Sequence, residues 1–139
     1  MVFGGTQVLM DVEPLVRIFH QDTVLHGLTH TVLGAFGIGI AAGAAGKPVS
    51  EILLRWAAIQ HAKLTWRVSF LSAFVGSFSH IALDAIMHAD MRPLWPLAEG
   101  NPLLGVVPVA QLHVFCLICG LLGIALLSRH LVAELFRRR

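Results

Sequence analysis

The sequence predicts an all-α membrane protein with about three transmembrane helices and one amphipathic interfacial helix. Hydrophobic residues make up 56% of the chain and charged residues only 13%, and the mean hydropathy is +0.76, all far from the values of a soluble domain. Three apolar stretches are each long enough to cross a bilayer, which takes about 20 helical residues. No internal repeat or low-complexity segment divides residues 1–139, so we expect a single membrane domain.

The predicted spans are bounded by prolines or charged residues, and they cover roughly residues 28–46, 68–88 and 103–127. In the first span, Gly39 and Gly43 form a small-residue face that is suited to close contact with another helix. Lys47 and Pro48 are expected to end this span, because proline interrupts the hydrogen bonds of a helix.

A short amphipathic helix is predicted after the first span, at residues 51–62. Apolar side chains such as Ile52 and Trp56 alternate with charged ones such as Arg55 at helical spacing. Tryptophan and basic residues are also typical of the membrane interface. We therefore expect this helix to lie along the membrane surface.

Basic residues predict the orientation of the chain. They cluster between the first two spans and at the carboxyl terminus, at Lys47, Arg55, Lys63, Arg67, Arg129 and Arg137 to Arg139. The positive-inside rule puts both clusters in the cytoplasm, so residues 1–27 and 89–102 are expected on the other side of the inner or plasma membrane. The clusters do not form a nucleic-acid-binding stripe, so we expect membrane lipids as partners and no nucleic acid.

Ionisable side chains mark the non-cytoplasmic ends of the first two spans. His80, Asp84 and His88 follow one another at intervals of four residues, so they lie on one face of a helix. His26 and His30 are also four residues apart, at the corresponding end of the first span. Ionisable residues in a membrane segment are costly and usually functional.

A metal site is the function that these residue types favour. Imidazole and carboxylate ligands together suit zinc, iron or manganese, and we expect zinc. Such an ion lowers the pKa of a bound water to about 7, which favours hydrolysis. His80 and His88 are roughly 12 Å apart along a helix axis, so either one pair binds an ion or there are two ions. We favour His80 with Asp84 as the primary pair.

Asp90 and Arg92 follow His88 at the expected rim of the site. Arg92 could bind a phosphate or carboxylate group through two hydrogen bonds. Cys116 and Cys119 resemble a zinc pair only by their spacing, because two further ligands are missing, and we predict that they pack in an apolar helix.

Three segments resemble the motifs of a known family. Asp11-x-Glu13, His26-Gly27-x-Thr29-His30-Thr31 and Ser79-His80-x3-Asp84 are similar to the acidic pair, the HRxxTHS-type motif and the SHxxxD-type motif of the YdjM-like membrane-bound metal-dependent hydrolases of the LexA-regulated type. The resemblance covers roughly residues 7–102. The run from Asp84 to Pro93, which reads DxxxHxDMRP, resembles a subgroup signature.

The resemblance implies a metal site built from the matched residues Asp11, Glu13, His26, His30, His80 and Asp84. Two features depart from the family pattern. Gly27 stands where the family usually has arginine, which removes an anion-binding charge. Relatives also usually have another span before the acidic pair, which is the pattern of a late start or a truncation.

We therefore predict the following site. The metal ligands are His26, His30, His80 and Asp84; Asp11 or Glu13 is a catalytic residue, as a further ligand or as the general base; and His88, Asp90, Arg92 and His113 support the site or contact the substrate. The expected reaction is hydrolysis of an ester or phosphoester of a small-molecule or lipid-like substrate, the lipid being suggested by the depth of the site. Two other functions stay open, a non-enzymatic metal-binding or ion-handling protein and a structural membrane module.

Overall fold

The computed structural model describes residues 1–59 and 63–137. Within them the fold is all-helical, without strands, and a 3₁₀ turn at Leu28–His30 precedes the third helix. The helices are α1 (Val2–Met10), α2 (Val12–Phe19), α3 (Val32–Trp56), α4 (Trp66–Met87) and α5 (Val109–Arg137). The all-α prediction is confirmed.

Three of these helices are long and apolar enough to cross a membrane, as predicted, at Val32–Trp56, Trp66–Met87 and Val109–His130. Most of their large apolar side chains are exposed in the isolated chain, as expected for helices whose surfaces face lipid. The chain divides into two compact units, residues 1–104 and 105–139. The first unit holds α1 to α4, and the second holds α5.

Pro48 does not end the first spanning helix. α3 continues through it to Trp56, so the helix predicted at residues 51–62 is instead, over residues 51–56, the last part of α3. A proline removes one backbone hydrogen bond, which membrane helices tolerate when neighbouring groups support them. Here Lys47 pairs with Glu51 at 2.7 Å across the proline. Residues 57–59 are not helical, and 60–62 lie outside the described residues.

α3 and α4 pack closely because glycines of α3 face aromatic rings of α4. A Cβ atom on Gly43 would collide with the Phe70 ring, and one on Gly39 would collide with the Phe74 ring. Ser69 of α4 also donates a hydrogen bond to the Gly43 carbonyl at 2.7 Å. The predicted small-residue face is therefore confirmed, and the order of these contacts makes the two helices antiparallel.

Two further glycines let α1 lie against the α3–α4 pair. A Cβ atom on Gly76 of α4 would meet Thr6, and one on Gly46 of α3 would meet Val2. Thr6 is fully buried, and its hydroxyl donates to the Val2 carbonyl at 2.9 Å, which satisfies the polar group inside the helix. The core cluster at the far end of α1 consists of Met10, Ala35, Ile81, Ala85 and Met91.

The glycine contacts predict a difference between two positions of α3. In Gly43→Leu the new side chain must displace the Phe70 ring, whereas Gly37 has nothing within 4 Å of an added Cβ atom. Both substitutions gain the same helix propensity, so we expect Gly43→Leu to be less stable than Gly37→Leu by about 1–3 kcal/mol. Equilibrium unfolding in detergent measures this difference. Equal stabilities would contradict the packing described above.

Candidate metal centre

A capped helix start fixes the position of His30. Thr31 is the N-cap of α3, and its hydroxyl oxygen accepts from the Gly34 amide at 2.9 Å while donating to the Leu28 carbonyl at 2.9 Å. His30 immediately precedes this cap and is fully buried. The motif threonine at position 31 therefore sets where the helix begins and where the His30 ring lies.

Four side chains from three parts of the first unit come together beside this helix start. We call Asp11, His30, His80 and Asp84 the first ligand group; their ligand-type atoms all lie within 4.8 Å of one another. His80 Nε2 is 3.1 Å from Asp84 Oδ2, 3.3 Å from Asp11 Oδ1 and 3.3 Å from His30 Nε2. His30 Nε2 is in turn 3.6 Å from Asp84 Oδ2.

Gln7 determines which nitrogen of His80 faces this group. The side-chain oxygen of Gln7 lies 2.7 Å from His80 Nδ1. Because an amide oxygen only accepts, Nδ1 carries the hydrogen, and in the neutral ring Nε2 presents a lone pair to the first ligand group. This orientation is the one that metal-binding histidines adopt when a neighbour holds the other ring nitrogen.

Glu13 and Thr29 orient His30 in the same way. The Thr29 hydroxyl donates a short hydrogen bond to Glu13 Oε2, so it can only accept from His30 Nδ1, which is 2.9 Å away. Burial opposes ionisation of Glu13, but hydrogen bonds from Thr29 and Arg17 outweigh it and lower the pKa of the carboxyl. Burial also lowers the pKa of His30 to about 4, with His26 and His80 adding to the effect, so the ring is neutral.

With both rings neutral, the first ligand group is a set of acceptors without a donor among them. Both imidazoles direct the Nε2 atom to the centre, and the two Nε2 atoms are only 3.3 Å apart. Asp84 and Asp11 add carboxylate oxygens at the same place. Electron pairs repel at such distances, so the arrangement requires a cation at its centre or an extra proton on one ring.

A second set of ligand-type side chains lies next to the first. His26, His88 and Asp90 form this second ligand group, and their ligand-type atoms also lie within 4.8 Å of one another. Asp90 Oδ2 accepts from the Leu25 amide at 2.8 Å and the His26 amide at 3.1 Å, and both Asp90 oxygens are 3.0 Å from His26 Nδ1. Burial opposes ionisation, but these hydrogen bonds outweigh it and lower the pKa of Asp90 to about 2.

The structure groups the predicted ligands differently from the expected set. Three of them, His30, His80 and Asp84, come together, but Asp11 joins them and His26 does not. The expected i, i+4 relation between His26 and His30 assumed a helix, and α3 begins only at Val32, after a non-helical segment and the 3₁₀ turn. His26 therefore points to Asp90 and not to the first ligand group.

Glu13 is linked to the first ligand group through Thr29, which contacts His30. Oε1 pairs with Arg17 at 2.9 Å and Oε2 accepts from the amide and hydroxyl of Thr29, so both oxygens are occupied. Asp11 is different, because its side chain is 64% exposed and touches His80 alone in the first ligand group. Its carboxylate is thus the one of the predicted acidic pair that is open to water.

Gly27 provides room for a guanidinium group. A Cβ atom on Gly27 would collide with Glu13 and with Arg17 Nη2, so α2 brings the Arg17 guanidinium against the position where the family resemblance expects arginine. The Arg17 charge is paired with Glu13. A positive group is therefore present beside the motif, although it comes from another part of the chain.

A cavity of about 390 Å³ opens beside the second ligand group. Its wall includes His26 and Asp90, the apolar Leu28 and Trp95, and Arg92. The Arg92 side chain is 56% exposed, and its nearest carboxylate is that of Glu99 at 3.8 Å. The remaining predicted residue, His113, belongs to α5 in the second compact unit, and its role stays a prediction.

A profile of the YdjM inner membrane protein family matches residues 11–136, which include both ligand groups. The chain belongs to this family. The family and the three apolar helices together make it an inner membrane protein. No curated protein and no solved structure matches the chain.

Two residues of the site were missed by sequence reasoning. Gln7 lies before the part of the chain that matches the family. The sequence feature that could have indicated it is its position four residues before Asp11, a spacing that brings the two side chains close together near the end of α1. Asn101 donates to the carbonyls of Ala85 and His88 at 2.8 and 3.2 Å, and so holds the end of α4.

Gln7 generates a prediction for metal affinity. In Gln7→Leu, the His80 ring loses the acceptor that keeps Nε2 directed at the first ligand group. Removing a side chain that hydrogen-bonds to a metal ligand typically lowers metal affinity about 10–100-fold, so we expect the zinc affinity of Gln7→Leu to fall by that factor. Gln7→Glu keeps an acceptor and should bind within a few-fold of the wild type.

Competition with a chromophoric chelator in detergent measures both affinities. Gln111→Leu serves as the matched control, because Gln111 is an exposed glutamine of the other unit. If Gln7→Leu and Gln111→Leu bind zinc equally well, Gln7 does not orient His80 for a metal.

Proposed function

We propose that this inner membrane protein is a metal-dependent hydrolase that cleaves an ester or phosphoester bond. The observation that carries the proposal is the convergence of four acceptor atoms in the first ligand group, with the outer nitrogens of both rings already committed to other partners. A divalent cation can accept electron pairs from all four atoms at once, whereas a proton added to His80 Nε2 points mainly at one of the other three atoms, of which Asp84 Oδ2 is the nearest at 3.1 Å.

The donor set fits zinc. Two imidazole nitrogens and two carboxylate oxygens are ligands that zinc accepts in a tetrahedral arrangement, and iron and manganese accept the same types. His30, His80 and Asp84 would hold the ion, because all three side chains are largely buried and both rings are oriented by a partner on Nδ1. Bound zinc supplies a water of lowered pKa and polarises the bond to be cleaved.

The other residues of the site then have distinct tasks. Asp11 is exposed and lies between the end of α1 and the start of α2. It can therefore serve as the fourth ligand or accept the proton of the attacking water. Glu13 acts through Thr29 by fixing the His30 ring, which is a positioning task and not proton transfer.

The cavity beside the second ligand group supports a substrate with an anionic and an apolar part. Arg92 can pair with a phosphate or carboxylate group, and Trp95 and Leu28 offer apolar surface. The site lies at the ends of two membrane-spanning helices, so a lipid-like ester would reach it from the bilayer. Basic residues at the opposite end of α3 and α4 favour a site near the non-cytoplasmic face.

One observation favours a second candidate function. The first ligand group offers four protein ligands, which is enough to close a tetrahedral shell and leave no position for water. A protein with such a site would bind or carry the metal without hydrolysis. The two candidates differ in activity but not in metal content.

Metal content and hydrolysis measured on the same samples test the proposal. We expect the detergent-purified protein to carry zinc and to cleave members of a panel of nitrophenyl acyl esters, bis(nitrophenyl) phosphate and a phospholipid in mixed micelles. Treatment with a chelator should abolish the cleavage, and zinc should restore it. His80→Ala and Asp84→Ala should lose both the zinc bound by the first ligand group and the activity.

The double variant Cys116→Ser and Cys119→Ser is the control for metal content, since both cysteines are free and exposed on α5. It should retain zinc and activity. Equal substoichiometric metal in the wild type, His80→Ala and Asp84→Ala would refute the metal site. Stoichiometric zinc that depends on His80, with no cleavage of any substrate, would refute the hydrolase and favour the metal-binding protein.

A further inference from the structure

The four histidines of the two ligand groups form one continuous row. The ring centroids are 5.3 Å apart between His80 and His30, 4.8 Å between His30 and His26, and 4.4 Å between His26 and His88. Such close imidazoles cannot all carry a proton on both nitrogens, because like charges at these distances repel strongly. The neutral imidazole is the form of histidine that binds metal ions.

A carboxylate lies beside each half of the row. Asp84 touches His30 and His80, while Asp90 touches His26. The two halves therefore have the same kind of composition, nitrogen ligands from two rings with a carboxylate beside them. The first half has Asp11 in addition.

The end of α4 directs His88 to the second half. α4 ends at Met87, and His88 has an extended backbone with φ −109° and ψ 119°. Its side chain therefore leaves the helical row of His80 and Asp84 and packs on His26. Asn101 holds this turn by donating to the His88 carbonyl at 3.2 Å.

Asp90 is equally well fixed. Its Oδ2 atom accepts two backbone amides from the segment that carries His26. The position of the carboxylate thus depends on the backbone and not on the His26 ring alone. A ligand held in this way is already in place before any ion arrives, which is what metal sites require of their supporting shell.

We infer that the second ligand group, His26, His88 and Asp90, binds a second divalent cation beside the first. Two nitrogens and one carboxylate oxygen are a set that zinc and manganese accept, and three protein ligands leave a position for water or substrate. For its catalytic meaning the inference rests on the proposed function, since an ion held beside the cavity would help to bind the anionic part of a substrate.

The cavity lies on the side of the second ion. His26 and Asp90 belong to its wall, whereas the members of the first ligand group do not line it. A substrate in the cavity would therefore meet the second ligand group first, with Arg92 close by. The second ion would bind the anionic part of the substrate together with Arg92.

A simpler arrangement makes a different prediction. If His26 and Asp90 only form a hydrogen-bonded pair, with His26 Nδ1 donating to the carboxylate, no ion is needed at this place. That pair does not require the His88 ring, which within residues 1–59 and 63–137 makes no side-chain hydrogen bond and packs on His26. The number of ions per chain separates the two arrangements.

Zinc content per chain at saturation, measured by elemental analysis after removal of loosely bound metal, tests the inference. We expect about two ions in the wild type and about one in His88→Ala, Asp90→Asn and His80→Ala. Asp90→Asn keeps an oxygen that can accept the Leu25 and His26 amides, so it removes the charge with least change to the fold. His20→Ala, at an exposed histidine outside both groups, should retain about two ions.

One ion in the wild type that persists in His88→Ala and Asp90→Asn but is lost in His80→Ala would overturn the inference and leave the proposed function intact. Two ions without hydrolysis would support the second site while refuting the hydrolase. An absence of zinc from the wild type would overturn both. Thermal unfolding of each variant in detergent identifies any loss of metal that comes from misfolding.

Discussion

The arrangement of the site depends on one constraint, the commitment of the Nδ1 atoms of two neighbouring imidazoles. His80 gives its Nδ1 hydrogen to Gln7, and His30 gives its Nδ1 hydrogen to Thr29, which is itself held by Glu13. Both Nε2 atoms are then left facing each other and two carboxylates. This convergence of electron pairs is costly without a cation or an extra proton, and it is the physical basis for the metal ion that we propose at the site.

Close helix packing makes that constraint achievable. Glycines on α3 and α4 allow α1 to lie directly against both helices, and α1 carries Gln7 to the His80 ring. The same placement leads to Asp11 at the edge of the first ligand group. A membrane protein has little hydrophobic driving force between helices, so small residues and a few polar contacts must determine how they fit. The geometry of the site therefore depends directly on how α1, α3 and α4 pack.

The sequence predicted the helices more readily than the details of the site. Length and hydropathy suffice for the spans, because a bilayer imposes both. The continuation of α3 past Pro48 was not predictable from local rules, because proline usually ends a helix and the exceptions depend on how the helix packs against the rest of the protein. His80 and Asp84 were predictable as a pair because they lie within a regular helix, where spacing determines the face.

The partners of that pair required the structure. His26 precedes the helix start, so helical spacing did not apply to it, and its partner Asp90 is 64 residues away in the sequence. Gln7 is likewise 73 residues from His80. Contacts between distant segments depend on the packing of the whole first unit and leave no periodic signal in the sequence. The membership of the two ligand groups could therefore be identified only from the structure.

The most direct test of the account is a nitrogen NMR measurement of the histidine rings in selectively labelled protein, before and after addition of zinc. Nitrogen shifts distinguish the two neutral tautomers from each other and from a metal-bound ring. The account predicts a hydrogen on Nδ1 of both His30 and His80, and a zinc-dependent shift of both Nε2 atoms. A hydrogen on Nε2 of either ring that persists when zinc is added would contradict it.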